Sequence, residues 1–107
     1  MRYLCLILIS FFSIECGFLF AQEPLRIISY NVENLFDCQH DSLKNDSSFL
    51  PDGLLHWTYY RYQTKIDRIA QVIVNISGWK PVPLVGLCEV ENAHCLRDLC
   101  YRLKRFN

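Results

Sequence analysis

The chain has 107 residues, is 51% hydrophobic and carries 11 basic and 11 acidic side chains, so its formal net charge is zero. That balance excludes a polyelectrolyte partner held by overall charge, and contact with nucleic acid would need a local patch. No C-x-x-C or Cys/His spacing of the kind that holds zinc is present.

Residues 1–21 differ from the rest: Arg2, an apolar stretch from Tyr3 to Phe12, then Ser13 to Ala21 with a small residue at the end. This pattern reads as a secretory signal peptide cleaved near Ala21-Gln22, and places the mature protein in the periplasm or outside the cell. A retained anchor is the competing reading. Ser10, Ser13 and Glu15 interrupt the apolar run, whereas spanning takes roughly 20 nearly unbroken apolar residues. Glu15 also argues against lipid attachment at Cys16, where a small residue is expected before the cysteine. No membrane span is expected after cleavage.

Leu25 to Val32, introduced by Pro24, is a β-rich run that predicts the first strand of the mature protein. Asp37 to Gly53 is polar and irregular and ends in a Pro51-Asp52-Gly53 turn, which predicts a long loop. From Thr58 to Ser77 the period becomes helical, with Tyr62, Ile66, Ile69, Ala70, Ile73 and Ile76 on one stripe, Thr58 as N-cap and Gly78 just past the end. Trp57 reads as a core anchor and His56 as a loop or capping residue.

Pro81 and Pro83 break the chain before Leu84 to Val90, a near-continuous apolar run that reads as a strand covered on both faces. Asn92 then caps a second amphipathic helix, Ala93 to Lys104, with Leu96, Leu99, Cys100 and Leu103 apolar. Beyond the leader, Cys38, Cys88, Cys95 and Cys100 are expected to be free thiols, with Cys88 a small buried hydrophobe in its strand.

Strand, helix, strand, helix predicts an α/β fold with parallel strands joined by a right-handed crossover. Asn31 and Glu89 would then emerge at the same sheet edge. A carboxylate at the end of an apolar strand is costly unless paired or bound to a cation, and an amide oxygen beside it suits a hard divalent metal. Taken singly, Asn31 also reads as a strand-end turn residue and Glu89 as the first exposed residue of a loop. Arg61 and Lys65 share a helix face and could meet a phosphate, or be an ordinary solvated face. Glu91 reads as a helix-start residue and Asp37 as a turn residue.

The segments Ile28-Ser29-Tyr30-Asn31-Val32 and Leu87-Cys88-Glu89-Val90 resemble the two first motifs of the endonuclease/exonuclease/phosphatase superfamily, the DNase I-like phosphoesterases. Tyr30 to Asp37, Pro51-Asp52-Gly53 with His56-Trp57-Thr58, and Val85 to Asn92 together look like an exported bacterial branch of it, over most of residues 25–104. Cys88 stands where Gln is frequent. The resemblance implies that Asn31 lies near metal and phosphate, that Glu89 is the principal ligand of Mg²⁺ (or Mn²⁺), and that Glu33 assists the metal. It implies in-line attack of water on a phosphodiester, with nucleic acid among the candidate substrates; Arg61 and Lys65 are substrate-binding candidates on their helical spacing alone.

The resemblance further implies a four-layer α/β sandwich, of which residues 22–107 supply an incomplete N-terminal part. Such sandwiches commonly need roughly 200 residues as one domain. The later Asp-x-Asn and Asp-His motifs have no counterpart here, and His40, His56 and His94 lack the context of a catalytic base. The sequence therefore reads as a poorly stable portion of a phosphodiesterase, inactive alone. The alternative is a small exported, non-catalytic interaction module.

Overall fold

The computed structural model describes residues 22–106, so the leader read in residues 1–21 lies outside the described residues. The element order is β1 (Ile27–Leu35), one turn of 3₁₀ helix (Ser47–Phe49), α1 (Tyr59–Ser77), β2 (Leu84–Val90) and α2 (Ala93–Leu103). The two strands pair in parallel, Ile27 against Leu84 through Asn31 against Cys88, with α1 as the crossover. This is the expected α/β arrangement. No helix among the described residues is long and apolar enough to cross a membrane.

Local chemistry fixes the helix ends. The Thr58 hydroxyl accepts from the Arg61 amide and the Asn92 amide oxygen accepts from the Cys95 N–H, so each helix starts on a side-chain cap. At the C-terminus of α1, Gly78 has φ +63 and its N–H returns to the Val74 carbonyl. Arg26 then collects the open carbonyls of Ile76, Ser77 and Lys80, tying the helix end to the start of β1.

Both helices pack on one face of the sheet. Ile28, Val32 and Leu35 of β1 meet Tyr62, Ile66, Ile69, Ala70 and Ile73 of α1, with Cys95 and Leu99 of α2 closing the core. Tyr62 donates its hydroxyl to Asp98 at 2.8 Å, and Arg102 bridges Asp67 and Gln63, so the helices are also joined by polar contacts.

The opposite face, Ile27, Ser29 and Asn31 beside Leu84, Gly86 and Cys88, is exposed. The sequence expectation that β2 is covered on both faces is therefore corrected: among the described residues only the helix side is covered, because both helices lie on that side. Cys88 is corrected with it, from buried to exposed. Its register with Asn31 puts it on the open face. The four described cysteines are free thiols, as expected. β1 also begins two residues later than the composition suggests and runs on to Leu35, because the ladder resumes at Leu35–Val90 after an irregularity.

Candidate functional site

That irregularity builds the site. Between the pairs Asn31–Cys88 and Leu35–Val90, β1 spends three residues where β2 spends one, Glu89. Regular pairing would place Glu89 opposite Val32, with its side chain on the other face from Asn31. The bulge suspends the alternation. Glu33, Asn34 and Glu89 all take the left-handed backbone, at φ +53, +59 and +62. Each such residue other than glycine costs roughly 1–3 kcal/mol, a strain that persists only where neighbouring contacts over-determine it.

The contacts are specific. Asn31 donates its amide NH₂ to Glu89 Oε1 at 2.7 Å, across 58 residues of sequence. Asn31 Oδ1 accepts the Glu33 N–H at 2.8 Å, and the Asn34 N–H donates to Glu89 Oε2 at 3.1 Å. The Glu33 N–H can only donate, so the Asn31 atom facing it is the oxygen and the atom facing Glu89 is the nitrogen. In this arrangement Asn31 orients the Glu89 carboxylate; its oxygen is turned away to the backbone.

A basic wall stands beside this edge. Trp57 is buried and pinned by its indole N–H on the Phe36 carbonyl at 2.8 Å. Arg61 and Lys65 lie 5.4 and 5.7 Å from its ring centre. Neither is merely part of a solvated face: Arg61 donates to the carbonyls of Leu55 and His56, and Lys65 to those of Glu33 and Asn34. Burial pushes the Lys65 ammonium below its ordinary pKa, partly offset by the carboxylates of Glu33 and Glu89. Tyr30, Asn31, Glu33, Arg61, Lys65 and Arg68 are among the residues lining a groove of about 570 Å³ here.

A second polar cluster lies just beyond. Glu91 accepts the Asp37 N–H at 3.0 Å, Asn92 donates to Asp37 Oδ2 at 3.0 Å, and Asp37 Oδ1 accepts the Gln39 N–H. Lys44 donates to the Glu91 carbonyl at 2.9 Å. Ligand atoms of Asp37, Glu91 and Cys95 lie within 4.8 Å of one another. Burial pushes the Glu91 carboxyl up from its ordinary range and the Cys95 thiol up to about 11. Asp37 and Glu91 thus do more than make a turn and a helix start: they clasp the loop after β1 to the start of α2. Sequence reasoning missed this clasp. The only signal was two acidic residues, Asp37 and Glu91, each just beyond a strand end.

The histidines fall elsewhere. His40 Nδ1 is 2.7 Å from the buried carboxylate of Asp46, and His94 pairs with Asp98 at 3.6 Å on α2. His56, at φ +45, offers its carbonyl to Arg61.

The strand-end donor set fits a hard cation. Each Glu89 oxygen accepts one N–H bond and keeps lone-pair capacity for a metal, and Glu33 brings a second carboxylate to the same bulge. Comparison with known proteins agrees in kind. Residues 26–106 match the model of a family described as Endonuclease/Exonuclease/phosphatase family. No curated protein matches the chain, and no solved structure does.

Proposed function

The chain belongs to the endonuclease/exonuclease/phosphatase family, and from that premise we propose that the Asn31–Glu33–Glu89 edge is the metal-holding part of a phosphodiester hydrolase. The observation that carries the reading is the Glu89 carboxylate, brought by a strained bulge onto two N–H donors at an exposed strand end. Strain of this sort is worth its cost where it aims a group.

Glu89 would hold Mg²⁺ or Mn²⁺, with Glu33 as a second carboxylate. Asn31 acts one step back: one hydrogen of its NH₂ fixes the Glu89 oxygen, which leaves the other for a phosphoryl oxygen of the substrate. The amide oxygen of Asn31 is a candidate metal ligand from its sequence position; the direction of its hydrogen bonds favours orientation instead. A bound divalent cation would supply Lewis-acid polarisation of the phosphoryl group. Arg61 and Arg68 line the groove beside this edge and give it the positive field a phosphodiester needs. Nucleic acid is one candidate substrate. The apolar leader of residues 1–21 supports export to the periplasm or beyond.

The test is a Mn²⁺ titration of the full chain followed by electron paramagnetic resonance. Saturable Mn²⁺ binding that disappears in Glu89→Gln supports the reading. Binding that survives the substitution removes it.

A further inference from the structure

Two consecutive left-handed residues, Glu33 and Asn34, turn their carbonyls out of the strand ladder, and one side chain collects both. Lys65 Nζ donates to the Glu33 carbonyl and, at 3.2 Å, to the Asn34 carbonyl. The N–H groups of the same two residues are held on the other side: Glu33 N–H donates to Asn31 Oδ1, and Asn34 N–H donates to Glu89 Oε2. An ammonium suits this place, because it is compact and has three donors and no acceptor. Its stem rises from α1, and Trp57 backs the charge at 5.7 Å.

We propose that Lys65 is a positioning residue: it clamps the Glu33–Asn34 bulge from the carbonyl side so that the bulge presents its N–H groups to Asn31 and Glu89. The sequence left Lys65 open between a phosphate contact and an ordinary solvated helix face. The geometry gives it a different task, because its donors are directed to the protein's own backbone. Arg61, one turn earlier and on the same Trp57 ring, is the internal contrast, since among the described residues its guanidinium hydrogen-bonds the loop carbonyls of Leu55 and His56 and not those of the bulge. The value of the clamp rests on the reading of Glu89 as a cation ligand; its existence does not.

The experiment compares the full-length wild type with Lys65→Met and Arg61→Met, without metal, by amide hydrogen exchange in NMR. Lys65→Met is expected to speed exchange at the Glu33 and Asn34 amides about tenfold while the amides of Ile66 and Leu99 in the helices keep their rates, and Arg61→Met is expected to leave all four unchanged. Lys65→Gln, still a donor, is measured alongside, so the outcome does not hinge on the methionine variant folding; its expected rates are intermediate. Mn²⁺ affinity should fall by roughly tenfold in Lys65→Met, the usual effect of losing a group that supports a metal ligand. Unchanged Glu33 and Asn34 exchange, or an equal loss of protection at all four amides, overturns the clamp. A wild type that binds no Mn²⁺ overturns the metal reading alone, and the exchange rates still decide the role of Lys65.

Discussion

Glu89 and Glu91 are two residues apart at the end of one strand, and the fold treats them in opposite ways. Glu89 is exposed, sits on a left-handed backbone, and has both oxygens engaged by single N–H donors. Glu91 is largely enclosed; its Oε2 accepts the Asp37 N–H, and its Oε1 is shut off from solvent with no hydrogen-bond partner among the described residues. An exposed carboxylate with lone pairs to spare can take a cation at little desolvation cost. An enclosed one resists its own charge, which is why burial raises the Glu91 pKa. The difference lies in surroundings, since the side chains are identical.

The same substitution at the two positions should therefore give opposite results. Glu89→Gln is expected to weaken Mn²⁺ binding by about a hundredfold or more, because the ligand charge is gone, and to cost about 1–3 kcal/mol in thermal unfolding, because a Gln presents one acceptor to the two N–H donors that hold the strained bulge. Isothermal calorimetry with Mn²⁺ and a thermal melt give both numbers on one sample. Binding retained in the variant would reverse the comparison.

Asp37→Ala tests the other side. It removes the acceptor for Gln39 N–H and Asn92 Nδ2 in a buried place. The expected cost is about 1–3 kcal/mol in urea unfolding, the usual penalty for leaving buried donors unpaired. Mn²⁺ binding by the surviving folded protein should stay within about twofold. Glu91→Gln is the milder probe. It keeps an acceptor for the Asp37 N–H and takes a charge out of an enclosed site, so stability should change by less than about 1 kcal/mol, in the stabilising direction at neutral pH.

The contrast also explains what the sequence could and could not reveal. Periodicity at Tyr62, Ile66, Ile69 and Ile73, with Thr58, Gly78 and Asn92 at the helix ends, was enough to read the two helices, and the strand–helix–strand order was enough to bring Asn31 and Glu89 to one edge. Those features are local or topological, and local chemistry decides them. The bulge was not legible. A left-handed backbone usually announces itself by glycine, yet Glu33, Asn34 and Glu89 hold it through tertiary contacts to one another and to Lys65, partners 31 to 58 residues away. Cys88 was misread for a related reason: an apolar run shows that a strand can be buried, and only the placement of both helices shows which face is.

The smallest effect expected concerns the loop that the clasp secures. Asp46 is buried in it, accepting the Asp41 N–H at 2.6 Å and facing His40 Nδ1. The Asp41 N–H, more than the neighbouring His40, holds the Asp46 carboxyl below its ordinary pKa of 3.8. An acid whose pKa is depressed by folding contributes stability that is present above its unfolded pKa and is lost as pH falls through the folded value. Glu91, raised above its ordinary 4.5, works in the other direction: its ionised form costs stability as pH rises through its folded pKa. Lowering the pH from 6 should thus first relieve Glu91 and only below 3.8 release Asp46. An NMR titration of the Asp41 amide should show it holding its shift until that lower range and then moving, while the Asp37 amide, bonded to Glu91, responds earlier. The reverse order would mean that the enclosed and the depressed carboxylates had been assigned the wrong way round, and the contrast between an open, charge-accepting edge and a closed, charge-resisting clasp would lose its electrostatic basis.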